Sequence, residues 1–173
     1  MTTRKLTTLA MLTAIYVVLS LLTPIKVINF KFTLEAFPVL IAGLLMGPLD
    51  GFIVGLAGSG IYQVFFSSYG ITATTPLWIL PHALSGFLAG YLSRNVKQYN
   101  VINVTIIATI CAFTVTIFNT LALYVDSKLF GYYSSKLVFG ALLLKFLAGL
   151  ILSVLYAMIL PKLITQLKKL LKK

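Results

Sequence analysis

Lys145 lies in the apolar run VFGALLLKFLAG, residues 138–149, where an ammonium group has little water to face. It falls roughly 13 Å, about nine residues, from the outer end of a stretch long enough to span a bilayer. A lysine at that depth costs about 2.5 to 3.5 kcal/mol on insertion scales, so it faces a cavity, a ligand or a partner group. It is either a structural pair with a carbonyl or buried acid, or a cation for an anionic ligand; ligand binding is the expectation. The segment TTPLWILPHALSG, residues 74–86, places Trp78, His82 and Ser85 at i, i+4 and i+7, on one helical face. Trp78 is then an interfacial anchor or, with His82 beneath it, the wall of a pocket for a flat heterocycle. Asn119 lies about six residues inside the outer end of its helix, where an amide joins helices or contacts a ligand. Phe65, Phe66 and Tyr69 flank the outer end of another helix and are placed to close over such a pocket. Lys31 is a further outer cation, or the partner of Glu35 across one helical turn.

Other chemistries lack residues. No G-x-x-x-x-G-K-[ST] occurs, so the chain is not expected to hydrolyse ATP by itself. A single histidine and no H-E-x-x-H leave no multi-histidine metal site. The acids Glu35, Asp50 and Asp126 are far apart, which disfavours a paired-carboxylate catalyst. Cys111, alone in an apolar segment, reads as a small hydrophobe. The expectation is a protein that is not an enzyme and uses no cofactor or metal.

The elements that hold these residues are membrane helices. The chain has 173 residues, 60% of them hydrophobic and only 10% charged, with a mean hydropathy of +1.02. A water-soluble domain of this length cannot hide so much apolar surface. Helices are expected over 6–22, 34–46, 52–66, 76–92, 101–125 and 137–160, with a mixed loop over 27–33 and a tight turn over 47–51. The basic tail 162–173 is expected to lie along the membrane surface. The apolar N-terminus has basic residues before it but no small-residue cleavage site after it, so it reads as a retained first helix. No soluble domain, linker or convincing internal repeat is evident, which counts against a carrier of inverted halves.

Charge orders the spans. Net charge is +11, yet the basic residues form no stripe interleaved with polar contact residues, so nucleic acid is not expected as a partner. The second helix is short, about 20 Å. With six spans, Arg4, Lys5, Arg94, Lys97, Lys162, Lys168, Lys169, Lys172 and Lys173 share one side, and Lys26, Lys31, Lys128 and Lys136 the other. That asymmetry puts both termini in the cytoplasm. Five spans would separate the basic N-terminus from the basic tail. The expected fold is an all-α, six-transmembrane-helix bundle forming one membrane domain over residues 1–173, in the plasma membrane.

Small residues recur at four-residue spacing: Gly43, Gly47, Gly51 and Gly55; Gly86 and Gly90; Ala10 and Ala14. Such spacing lets helix backbones approach closely in lipid, and internal packing is the expectation for the glycines. Ala10 and Ala14 lie in the inner half of helix 1, where a partner protein can dock. Candidate ligand groups therefore gather in the outer half and candidate docking groups in the inner half.

In this arrangement the chain resembles a substrate-binding S component of an energy-coupling factor (ECF) vitamin transporter. The resemblance rests on size, six hydrophobic helices, the basic tail and three motifs in order. Ala10-x-x-x-Ala14 is similar to the family's small-residue motif that docks the transmembrane T component. AGLLMGPLDG over 42–51, continuing to Val54 and Gly55, resembles the helix 2 to helix 3 turn, and ALSGFLAGY over 83–91 resembles helix 4. The resemblance implies high-affinity capture of a vitamin from outside, under a loop over about 24–33, and inward release after joining a T component and two ATPases. Helices 2 to 4 look most like the folate type. Riboflavin, a pyridoxine- or thiamin-related compound and a cobalamin precursor stay open as substrates, as does a stand-alone ion-coupled carrier.

Overall fold

A computed structural model describes residues 3–22, 25–27, 30–32, 34–67, 70–96 and 98–171. The described chain is a helical bundle: α1 (Thr3–Leu22), α2 (Ala36–Met46), α3 (Pro48–Phe65), α4 (Thr75–Ser93), α5 (Val101–Leu129), α6 (Ser135–Phe139) and α7 (Leu142–Leu171). Three segments are long and apolar enough to cross a membrane: Thr3–Leu22, Val101–Leu129 and Ser135–Lys169. α3 and α4 have 18 and 19 residues, hence about 27 Å of rise, but more small and polar side chains.

Three local expectations are corrected. The mixed loop over 27–33 contains part of an antiparallel pair, β1 (Ile25–Val27) and β2 (Phe30–Phe32), with Lys26 opposite Lys31. Lys31 is thus on a strand, and cannot share a helical turn with Glu35. The turn between α2 and α3 shrinks to Gly47, whose φ of 109° suits a residue without Cβ, and Pro48 starts α3 with its φ already helical. The sixth helix divides into α6 and α7, and α7 runs through Pro161 into the basic tail as one helix.

The bundle packs in a definite order. α3 lies against α4, α4 against α5 and α5 against α7, with α1 on the far side of α3. α2 is central and touches α1, α3, α4 and α7. Its side chains from Pro38 to Leu44 are all buried. Close approach depends on glycine. A Cβ on Gly43 would lie 2.8 Å from the Gly86 carbonyl oxygen, and one on Gly86 would overlap the Gly51 backbone. That is the packing role expected of the four-residue spacing. Outward faces are apolar, with Leu6, Met11, Ile117, Leu143 and Ile151 more than half exposed, as lipid-facing residues are.

The end holding the N-terminus is pinned. Lys5 on α1 lies 2.7 Å from Asp50, a buried carboxylate in the first turn of α3 where the helix dipole favours negative charge. The Asn100 side chain caps α5 by accepting from the Asn103 amide at 2.8 Å. Hydroxyls of Ser20, Thr120 and Ser153 donate to the carbonyl four residues back, so they need no water.

Candidate functional site

The central helix is too short to fill the bundle. α2 has 11 residues and rises about 16 Å from the Lys5–Asp50 end. Its first turn therefore stands partway along the bundle, and Glu35 immediately precedes it there without a side-chain capping bond. The Glu35 carboxylate meets the His82 Nε2 of α4 at 3.2 Å. The Tyr16 ring of α1 packs edge-on against the His82 ring, 5.4 Å between centroids. Phe37 lies 5.5 Å from Tyr156 of α7. Buried Nδ1 of His82, Oγ of Ser85 and the Tyr156 hydroxyl have no hydrogen-bond partner among the described residues. This is a polar floor within an apolar bundle.

Depth above the floor follows from helix contacts. The Cys111 Sγ on α5 donates to the Ser85 carbonyl of α4 at 3.4 Å, and Phe113 packs on Phe146 of α7 at 4.9 Å. Counting outward from those contacts at 1.5 Å per residue, His82 and Lys145 stand about 5 Å and Trp78 and Asn119 about 10 to 12 Å above Ser85. Four expected site residues thus occupy one half of the bundle, on α4, α5 and α7. Trp78, Asn119 and Lys145 are each half-buried, and among the described residues none of their side chains has a hydrogen-bond or ion-pair partner. An indole N–H, an amide and an ammonium left unpaired in apolar surroundings carry a cost that a bound polar ligand would remove.

The other expected residues are placed differently. Phe66 is 47% exposed and Phe65 73%, so both rings face outward at the end of α3. Tyr69 lies outside the described residues. Lys31 is described by its backbone position in β2 alone. His82 is in the expected half, but its Nε2 is engaged by Glu35 rather than free.

Sequence reasoning missed two arrangements. Glu35 was expected as a partner for Lys31, and its contact with His82 of α4, beside Tyr16 of α1, was not foreseen. Asp126, expected in a loop, sits in the last turns of α5 and accepts hydrogen bonds from the hydroxyls of Thr74 and Tyr132. This bond ties the start of α4, four residues before Trp78, to α5, which carries Asn119. The signal was the Thr72, Thr74, Thr75 cluster, whose hydroxyls bond one another and the Thr72 amide.

The family model for the substrate-specific component of ECF transporters matches residues 4–167. The chain belongs to this family. Two solved structures share the fold, each with a TM-score of 0.70 and 19% identity. One is an S component for biotin from an ECF-type ABC transporter, covering 94% of each chain; the other is FolT bound with folic acid, covering 96% of this chain and 98% of that one. No curated protein sequence matches the chain. In this S component Leu9, Leu12 and Tyr16 of α1 face the bundle, while Ala10, Met11, Ala14, Ile15 and Val18 are exposed on the other side. S components are integral membrane proteins that bind the substrate of a transporter.

Proposed function

We propose that this S component captures a vitamin with a flat polar heterocycle and an anionic tail, folate being the substrate that fits best. Trp78 stacks on the ring, Asn119 bonds its edge and Lys145 pairs with a carboxylate. The Glu35–His82 floor closes the inner side of the site. The carrying observation is that Trp78, Asn119 and Lys145 lie unpartnered among the described residues in the same half of the bundle, Lys145 level with His82 and the other two above it, on three different helices. In this reading six spans place both termini in the cytoplasm of a cell whose plasma membrane holds the protein. Release inward needs a T component, docked on the exposed Ala10 and Ala14 face, and two ATPases.

A biotin-like substrate is the second reading, favoured by the equal likeness to a biotin S component. It offers the same chemistry of a polar ring system and a carboxylate tail. Mass spectrometry of small molecules released from purified protein separates the two. A pterin-bearing compound supports the first reading, and biotin overturns it in favour of the second. Uptake into liposomes by the chain alone, driven by a proton or sodium gradient, would sink both.

A further inference from the structure

An open surface concavity of about 370 Å³ lies at the other end of the bundle from His82. It is lined by Tyr99, just ahead of α5, and by Pro161, Lys162, Thr165 and Gln166, which share one face of α7. Tyr99 is fixed from two sides. Its hydroxyl donates to the Leu44 carbonyl at 3.0 Å, satisfying an acceptor in the last turn of α2. Lys168 sits over its ring, 4.2 Å from the centroid. Thr165 turns its hydroxyl back to the Pro161 carbonyl at 2.8 Å, which leaves its methyl group available to the wall. The cavity is therefore built of ring and aliphatic carbon with cations at its rim.

Among the described residues those cations have no carboxylate partner. Each acidic side chain of the protein is engaged elsewhere: Asp50 by Lys5, Glu35 by His82, and Asp126 by Thr74 and Tyr132. Lys162 and Lys168 make no ion pair among the described residues, and Arg94 and Lys169 add positive charge at the same end. An apolar wall beside a basic rim suits a molecule that is an anion at one end and hydrocarbon at the other. We infer that this cavity binds the phosphate headgroup of an anionic membrane phospholipid. Lys162 and Lys168 hold the phosphate, and Tyr99 and Pro161 receive the carbon that follows it. The occupant adds to the packing of the end of α7 near the start of α5, which already includes the Lys168–Tyr99 cation–π contact.

The test is native mass spectrometry of the full chain released from bilayers of equal parts phosphatidylglycerol and phosphatidylcholine. The expected result is retained phosphatidylglycerol in preference to phosphatidylcholine. Replacing both Lys162→Gln and Lys168→Gln is expected to weaken retention about thirtyfold, whereas Lys128→Gln with Lys136→Gln, at the other end, leaves it unchanged. Thr165→Trp fills the concavity, keeps both lysines and is expected to abolish retention. Equal loss in the two double variants, or full retention in Thr165→Trp, would show binding by general surface charge and overturn the site. Displacement of the lipid by millimolar inorganic phosphate would assign the cavity to free phosphate instead.

Discussion

The His82 Nε2 on α4 stands 3.2 Å from a Glu35 carboxylate oxygen at the head of α2, with the Tyr16 ring of α1 edge-on to the imidazole. Three helices meet at this pair, and both side chains are largely withdrawn from solvent. Removing either side chain deletes this contact between α2 and α4. His82→Ala and Glu35→Ala are each expected to cost about 1 to 3 kcal/mol, visible as a lower thermal midpoint in detergent. Midpoints equal to that of the unaltered protein would mean that the pair does not hold the floor.

Lys145 is expected to contribute to ligand affinity and little to folding. A charge-assisted bond to a carboxylate is worth about 1.5 to 3 kcal/mol, so Lys145→Ala should weaken folate binding by about tenfold or more. Titration calorimetry on the purified variant, with its melting curve as the folding control, measures both. Native affinity in Lys145→Ala would remove the residue from the site.

The exposed Ala10 and Ala14 face separates binding from transport. Ala10→Trp adds bulk on the side of α1 away from Leu9 and Tyr16, so the isolated protein should fold and bind as before. Vitamin uptake by cells that also express the T component and ATPases should be lost. Normal uptake there would remove this face from the docking surface.

Helix contact at Gly86 leaves no room for a methyl group, because a Cβ there overlaps the Gly51 backbone. Gly86→Ala is expected to destabilise by about 1 to 3 kcal/mol or more, since backbone must move. At Gly60 the nearest atom to an added Cβ is Ile79 Cδ1 at 3.9 Å, and Gly60→Ala should be neutral or slightly stabilising. Similar melting temperatures for both variants would contradict the packing described for α3 and α4.

The membrane class, the helices and the small-residue packing faces were legible from sequence. Hydropathy and residue spacing are local properties, and a bilayer demands helices whose backbone bonds are satisfied internally. Pro48 and Gly47 likewise announced a break between α2 and α3, though only the backbone geometry shows that one residue suffices. Lys145 drew notice because a cation in an apolar run is costly wherever the run packs. The fate of His82 was different. Its neighbours Glu35 and Tyr16 come from distant segments, and no periodicity links residues on separate helices. Tertiary structure also decided that Lys31 lies on a strand, that Asp126 ties α5 to the threonines before α4, and that α7 continues into the basic tail. By itself the sequence determined which segments prefer lipid and which residues are costly there, because both follow from side-chain chemistry. Only the fold decided which of those residues satisfy one another and which stay unpaired, because that depends on contacts between helices far apart in the chain.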